Sequence, residues 1–174
     1  MDAYLAVVSK REVRAYEDRA IPDDVLERIL EAGRATGSSK NTQPWRFIVI
    51  TGRERLRELA KSVSRPANLE RCPVAIAIAM TAGGPFDAGR AAQNMMVAAW
   101  DVGVGTCPNT PRDADSIHRA LGVPDGVKVV TILTLGYPAE GEPRPPRKAS
   151  SKGVLRRIKR APLDQLVDRE TFRS

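Results

Sequence analysis

An uninterrupted apolar run, residues 72–80 with the sequence CPVAIAIAM, is the feature that most restricts how this chain can fold. A strand with one face in water alternates apolar and polar residues, and this run does not alternate. It therefore predicts a strand that is buried on both faces. A second apolar segment, residues 88–102, follows a glycine-proline break at residues 83–85 and predicts a long central helix capped by Asp87.

Periodic apolar residues predict the remaining elements. We expect helices at residues 3–10, 23–33, 53–64 and 113–121, strands at residues 46–51 and 127–136, and a loop at residues 103–109. Together with the buried run, this makes about three strong strands wrapped by helices, an arrangement that indicates an α+β or α/β fold.

The length of 174 residues suits one domain, residues 1–174. Proline and charged residues concentrate in residues 138–152, which predicts a mobile arm before a C-terminal tail at residues 153–174. No apolar stretch approaches the ~20 residues that span a bilayer, and the N-terminus lacks a signal-peptide pattern. Because the sequence also offers no disulfide scaffold, we expect a cytoplasmic protein with no membrane partner.

Metal binding receives no support from the composition. Two cysteines, Cys72 and Cys107, and one histidine, His118, are too few ligands for a structural zinc site. A catalytic unit built on histidine would have to use His118, which lies in a helical stretch with no other catalytic signal.

The charge is strongly positive, with 28 Lys and Arg against 21 Asp and Glu and a net charge of +7. Such an excess suits either a nucleic-acid surface or a solvated surface with a few cations gathered for one phosphorylated cofactor. Aromatic residues make up 5% of the chain and are not interleaved with basic ones on a predicted strand. This composition argues against a platform on which bases stack.

Three cations, Lys10, Arg11 and Arg14, lie within five residues at the end of the first predicted helix. Arginine supplies a planar donor fork and lysine a point charge, and both suit a phosphate group. The alternative is a solvated basic face, and the cluster alone does not decide between the two.

A polar loop after the second predicted helix contains Ser38, Ser39, Asn41 and Gln43. Amide side chains carry both donors and acceptors, so this loop can contact the polar edge of a heterocycle. It can equally be a turn whose side chains satisfy their own backbone.

After the central helix, Gly103 and Gly105 either allow a flat ligand to approach the backbone or simply end the helix. The dinucleotide fingerprint requires a strand, a glycine turn and then a helix, and this segment does not follow that order.

Taken together, these segments resemble the FMN-dependent nitroreductase family. KREVRAY at residues 10–16 resembles the family's basic motif, and TGSSKNTQPWRFIVI at residues 36–50 resembles its polar loop and strand. DAGRAAQNMMVAAWDVGVGT at residues 87–106 resembles the central helix with its glycine turn. LTLGYP and KRAPLDQLV resemble the closing strand and the C-terminal basic segment. The resemblance implies an α+β, three-layer fold with a central mixed sheet wrapped by helices, in an obligate homodimer with FMN at the interface.

For the phosphate end of FMN, the resemblance implies that Lys10, Arg11 and Arg14 hold the phosphate and neighbouring polar atoms from one subunit. Arg160, in the tail, would join them at the phosphate.

For the flavin ring, the resemblance implies that Ser38, Ser39 and Asn41 reach across from the other subunit, while Gln43 supports this loop or touches the ring. The glycine turn would face the flavin near its hydride-accepting N5 atom, and its implied cofactor-binding residues are Gly105, Thr106, Cys107 and Asn109.

The implied activity is that of an NAD(P)H-dependent oxidoreductase. NADH or NADPH would reduce FMN, and a small electron-poor acceptor, a nitro compound or a quinone, would take the electrons in a ping-pong sequence. No catalytic side chain is implied, because the flavin carries the chemistry. Two alternatives stay open: a basic interaction protein that keeps the fold and binds nucleic acid or an acidic partner, and a flavin enzyme of different chemistry, such as dehalogenation or flavin destruction.

Three departures from the family pattern bear on these expectations. Glu12 stands where the family usually has serine, so a carboxylate lies beside the implied phosphate site. Gly37 replaces the usual proline of the polar loop. The chain between Trp45 and the central helix is shorter than in the larger members, which predicts an open or small lid.

Overall fold

The fold is built around the strand that the apolar run predicts. The computed structural model describes residues 1–146 and 148–172. In chain order the elements are α1 Ala3–Ser9, α2 Asp23–Arg34, β1 Trp45–Ile50, α3 Arg53–Ala60, α4 Pro66–Arg71, β2 Val74–Met80, α5 Pro85–Asp101, β3 Gly105–Asn109, α6 Ala114–Leu121, β4 Lys128–Gly136 and α7 Ser151–Leu155. All seven residues of β2 are buried, as predicted.

The four strands form one sheet in the order β1-β2-β4-β3. The α+β class is confirmed, but the sheet is less mixed than the resemblance implies, because all three ladders between these strands are antiparallel. A parallel pairing occurs at the isolated bridge between Glu12 and Thr106, where the segment after α1 lies beside β3. The mixed character is therefore confined to this short contact, which is too short to count as a strand.

Helices cover both faces of the sheet and produce three layers. Because successive side chains of a strand point to opposite faces, β2 contributes Ile76 and Ile78 to the core shared with α2 and α5. It contributes Ala75 and Ala77 to the core beneath α3, α4 and α6, where Leu56 and other large side chains fill the space. Burial of each large aliphatic side chain stabilises the fold by about 1.5–3 kcal/mol.

The prediction of a loop at residues 103–109 is wrong from Gly105 onward, since residues 105–109 form β3. The five residues GTCPN contain a proline and show no apolar alternation, so their strand state depends on pairing with β4. Pro108 is tolerated because β3 is the last strand of the sheet.

The central helix also begins earlier than predicted. Gly84 is the N-terminal capping residue of α5, and Pro85 occupies the first turn. Asp87 therefore lies inside the helix, and one of its carboxylate oxygens accepts a hydrogen bond from the Ser39 backbone N–H at 3.3 Å. The prediction that Asp87 caps this helix is wrong, because proline itself suits the first helical turn.

Residues 138–150 contain no helix or strand among the residues that the structure describes, and α7 packs against α1. The Ala139 backbone N–H donates to the Ala15 carbonyl at 3.0 Å, and an Arg144 guanidinium N–H donates to Glu17 at 2.9 Å. Arg147 of the predicted arm and residues 173–174 of the predicted tail lie outside the described residues. The mobility of the arm stays a prediction.

Among the described helices, none combines the length and the apolar character needed to cross a membrane.

The end of β4 provides a test of close packing in this fold. A Cβ at Gly136 would lie 2.6 Å from Tyr16 Cδ1 and 2.8 Å from Pro73 Cδ, so Gly136→Ala must displace the tyrosine ring or the strand. We expect this variant to lose about 1–3 kcal/mol of unfolding free energy. Urea denaturation measures the loss.

Gly89→Ala is the matched control for this change. No heavy atom lies within 4 Å of its Cβ position, and Gly89 is an exposed residue within α5. Alanine there should add about 0.5–1 kcal/mol because it restricts the unfolded chain and favours the helix. Equal stabilities of the two variants would contradict the packing described at Gly136.

Candidate active site

The segment that follows α1 contains an ion pair between Lys10 and Glu12, the carboxylate that departs from the family pattern. Lys10 is the C-terminal capping residue of α1, and its Nζ lies 2.6 Å from Glu12 Oε1 and 3.4 Å from Met96 Sδ. The lysine side chain is 6% exposed. Its charge is therefore already balanced by the residue that replaces the family's serine. Glu12 lies among three cations in the sequence, which indicates a pairing with a neighbouring base but not with which one.

The other two cations of this segment take different directions. The Arg11 guanidinium donates to the carbonyls of Val8 and Lys10 at 3.0 and 2.7 Å and lines a cavity of about 640 Å³ between α1 and the chain around α7. Arg160 lines the same cavity, so the structure brings together these two predicted phosphate ligands. Arg14 is exposed, and its backbone N–H donates to Glu142 Oε2 at 3.1 Å.

Residues 12–16 are attached to the edge of the sheet by close packing and hydrogen bonds. The Val13 backbone N–H donates to the Thr106 carbonyl at 3.0 Å. A Cβ at Gly105 would lie 2.6 Å from Val13 Cβ, so this glycine permits the close approach of the two segments. The Tyr16 hydroxyl donates to the Val13 carbonyl at 2.7 Å and lies 2.8 Å from Thr134 Oγ1.

Two buried polar atoms at this edge have no hydrogen-bond partner among the described residues: Glu12 Oε2 and Thr106 Oγ1. Their residues form the parallel bridge, so both atoms belong to the same stretch of the β3 edge. A buried polar atom without a partner costs about 1–3 kcal/mol, and a bound ligand that supplies partners removes this cost. Sequence reasoning identified Thr106 only through the family resemblance and did not identify this pair.

Cys107 and Asn109 are buried rather than exposed to a ligand. The side-chain amide of Asn109 donates to the carbonyls of Cys107 and Ile132 at 3.0 and 3.1 Å. Its Oδ1 accepts a hydrogen bond from the Asn68 side-chain amide at 2.9 Å. These bonds stabilise β3 internally. The Asn68 partner is a further residue that the sequence gave no signal for.

The two thiols are held in their neutral form. Burial raises the pKa of the Cys107 thiol above its usual value, and the nearby Arg14 charge only partly opposes this. Burial raises the pKa of Cys72 to about 12. Neither cysteine is therefore a thiolate near pH 7, which is the form that acts as a nucleophile.

The polar loop forms a separate group of predicted site residues. Ser38 Oγ accepts from the Gln43 backbone N–H at 2.8 Å, and Gln43 Nε2 donates to the Asn41 carbonyl at 3.3 Å. Lys40, Asn41 and Gln43 have φ angles of 51°, 55° and 47°. Such left-handed conformations cost energy in residues other than glycine and occur most often at functional sites. The side chains of Asn41 and Gln43 are exposed.

Within one protomer the loop and the basic segment lie at different positions along α5. The loop is bonded to Asp87 in the first turn of this helix, whereas Lys10 contacts Met96, nine residues further on. At 1.5 Å per residue this separation is about 13 Å along the helix axis. The structure thus brings Lys10 and Glu12 to the β3 edge and Arg11 to a cavity shared with Arg160, but it does not bring the loop to either.

Among residues 1–146 and 148–172, no group of histidine, cysteine or acidic side chains is arranged to hold a metal ion.

Comparison with known proteins identifies the class of this fold and site. The profile of the Nitroreductase family matches residues 7–71 and 63–137, so the chain belongs to the nitroreductase family. A protein of Methanothermobacter thermautotrophicus, provisionally named an NADH dehydrogenase/NAD(P)H nitroreductase, is 30% identical over 152 residues, which cover 80% of this chain and 79% of the relative.

Solved structures share the fold over nearly the whole chain. A nitroreductase family protein from Clostridium difficile superposes with a TM-score of 0.81 at 26% identity, covering 99% of this chain and 100% of that one. A structure described as an FMN-dependent nitroreductase from the same species gives a TM-score of 0.75 at 24% identity, covering 93% and 99% of the two chains.

Relatives with another activity are also similar to this chain. An iodotyrosine deiodinase from Thermotoga neapolitana is 22% identical over 166 residues, covering 79% of this chain and 89% of the relative. The family profile and the relatives therefore establish this chain as a nitroreductase-like oxidoreductase.

Tyr16, which attaches the basic segment to the sheet, is expected to make the fold less stable at alkaline pH. Burial raises the pKa of Tyr16 above its usual value near 10, so the folded chain keeps the phenol neutral while the unfolded chain ionises it. Its contribution to stability is complete below pH ~10 and falls above it by about 1.4 kcal/mol per pH unit. Tyr16→Phe should lower this alkaline slope, although loss of the hydroxyl costs about 1 kcal/mol at neutral pH.

Urea midpoints measured from about pH 8 to pH 11 test this prediction. Burial also raises the pKa of the Cys72 and Cys107 thiols, and both thiols remain in the variant. The loss of stability per pH unit should therefore become smaller in Tyr16→Phe without vanishing. Tyr4→Phe removes an exposed phenol and serves as the control. A slope unchanged by Tyr16→Phe contradicts the assignment.

Proposed function

We propose that this oxidoreductase uses FMN, reduced by NADH or NADPH, to pass electrons to a small nitro compound or quinone. The observation that carries the proposal is a cavity lined by Arg11 and Arg160, together with unpartnered polar atoms on Glu12, the next residue along the chain, and on Thr106, which is bridged to Glu12. The phosphate of FMN would bind in the cavity, and the hydroxyl groups of its ribityl chain would bind to the unpartnered polar atoms. The name of the C. difficile neighbour supports the choice of FMN.

The residues present fit FMN with one change of role. Because Glu12 already balances Lys10, the proposed phosphate ligands are Arg11 and Arg160, whereas the charge of Arg14 acts on Cys107 in β3. Glu12 Oε2 is an acceptor for a ligand hydroxyl, and Thr106 Oγ1 can donate or accept. The carboxylate that departs from the family pattern is thus compatible with the ribityl chain.

The proposed site requires two copies of the chain. The polar loop lies about 13 Å along α5 from the basic segment of its own protomer, so we place it against the flavin of a second protomer. Exposed apolar side chains support a homodimer. Tyr4 and Val7 on α1 are more than half exposed, and Leu163 and Leu166 in the tail are more than two-thirds exposed.

The chain's own contribution is to bind and orient the cofactor. Bound FMN would supply the hydride and electron transfer chemistry of a ping-pong sequence between NAD(P)H and the acceptor. Arg11 and Arg160, which line the same cavity, would hold the phosphate. The neutral thiol of Cys107 does not compete as a nucleophile. Solvent supplies the protons, because no side-chain acid is needed at this edge.

Flavin binding with and without its phosphate tests the assignment of the phosphate end. The variant Arg160→Gln removes a charge-assisted hydrogen bond of about 1.5–3 kcal/mol and should raise the Kd for FMN about 10- to 100-fold. The Kd for riboflavin, which lacks the phosphate, should change far less. Fluorescence titration measures both constants.

The matched control for this experiment is Arg57→Gln, which removes an exposed arginine on α3, across the sheet from α5. It should leave both flavin constants unchanged. Wild-type protein that cannot be loaded with FMN, or an equal loss of both flavins in Arg160→Gln, would refute the proposed phosphate site.

Mixing two inactive variants tests whether the site is shared between protomers. Arg11→Gln disables the phosphate end, and Asn41→Ala disables the loop that we place on the partner. A mixed dimer then has one site with both defects and one site with neither. Random exchange of subunits should restore about a quarter of the wild-type sites, counted as bound FMN. No recovery after verified exchange means that each protomer builds its own site.

A further inference from the structure

The cavity between α1 and the chain around α7 carries far more positive charge than one flavin phosphate needs. Six cationic side chains line its volume of about 640 Å³: Arg11, Arg144, Lys148, Arg157, Lys159 and Arg160. No carboxylate is among its described lining residues. The cavity size falls within the usual range for small-molecule sites.

Among the described residues, five of these six cations have no carboxylate counter-charge. An Arg144 guanidinium N–H donates to Glu17 at 2.9 Å, whereas Arg11 and Arg160 donate to backbone carbonyls. In the described part of the chain, the side chains of Lys148, Arg157 and Lys159 make no hydrogen bond or ion pair. Like charges gathered at a concave surface raise the local potential and attract anions.

The charge balance leaves capacity for a second phosphate. A phosphate monoester carries about −1.5 to −2 charges near pH 7, which Arg11 and Arg160 together neutralise. Lys148, Arg157 and Lys159 then remain available at the same cavity. Of the two nicotinamide donors, only NADPH brings an additional phosphate monoester, on the 2′ position of its adenosine ribose.

We propose that the 2′-phosphate of NADPH binds in this cavity, at Lys148, Arg157 and Lys159, and that the enzyme therefore prefers NADPH to NADH. This inference rests on the proposed function, because it identifies the electron donor of the same site. The cavity distinguishes two donors with identical redox chemistry by charge alone. A nucleic-acid surface fits less well, since the described residues that line the cavity include no aromatic side chain for stacking with a base.

Steady-state kinetics of the flavin-loaded protein with both donors test the preference. We expect kcat/KM to be at least about tenfold higher with NADPH than with NADH, and Arg157→Gln to reduce this ratio about tenfold. Lys148→Gln should reduce the ratio in the same direction. Arg57→Gln, on the opposite side of the sheet, is the control and should preserve the ratio. A wild-type ratio near one, or a ratio unchanged in both cavity variants, overturns the proposal.

Direct binding separates this inference from the proposed function. Calorimetric titration with 2′,5′-ADP and with 5′-AMP compares ligands that differ by the 2′-phosphate, and it requires neither turnover nor flavin. We expect 2′,5′-ADP to bind at least about tenfold more tightly, with a difference that decreases in Arg157→Gln and at higher salt. If FMN cannot be loaded but this difference persists, the flavin assignment fails and the 2′-phosphate site stands.

Three results of the same titrations would overturn the site. Equal affinities for 2′,5′-ADP and 5′-AMP mean that the cavity does not recognise the 2′-phosphate. Inorganic phosphate binding as tightly as 2′,5′-ADP indicates a general anion site. Tight binding of single-stranded DNA that is lost in Arg157→Gln, with the nucleotide affinities unaffected, assigns these cations to nucleic acid instead.

Discussion

The attachment of residues 12–16 to the edge of the sheet is the interaction on which the candidate site depends. Val13 packs where the missing side chain of Gly105 leaves room, and its backbone N–H donates to Thr106. Tyr16 then fixes the Val13 carbonyl against β4 through Thr134. These contacts place the ion pair of Lys10 with Glu12 beside β3. Loss of this packing would separate the cations from the edge that presents the unpartnered polar atoms.

The strongest elements of the fold could be predicted from the sequence because they depend on local pattern. The run at residues 72–80 is buried on both faces as predicted, and Gly122 ends α6 in the left-handed conformation that favours glycine. β3 could not be predicted, because GTCPN becomes a strand only through pairing with β4, which is distant in sequence. The start of α5 was predicted too late, since Asp87 suited a cap and the first turn instead begins at Pro85.

In the candidate site, too, the sequence indicated some groupings of residues but not the contacts made with distant elements. The grouping of Arg11 with Arg160 is implied by the family resemblance, and the structure brings both to one cavity. The pairing of Lys10 with Glu12 changes the role of a predicted phosphate ligand, because the buried lysine is already neutralised. The commitment of the Asn109 side chain to β3 could not be foreseen, since its partners Asn68 and Ile132 come from other elements.

The positive charges of the chain thus fall into groups with different surroundings. Part of it is balanced internally, as at Lys10, and part lines the cavity between α1 and α7. The polar loop lies outside both groups and is held in left-handed conformations against the first turn of α5. Because one protomer does not bring the loop to the basic segment, we propose that the flavin site is shared by two chains.

Native mass spectrometry of the FMN-loaded protein tests this claim most directly, because it counts chains and flavins in one particle. A shared flavin site predicts a dimer that carries two FMN molecules and loses them when it dissociates. A monomer that retains one FMN would contradict it.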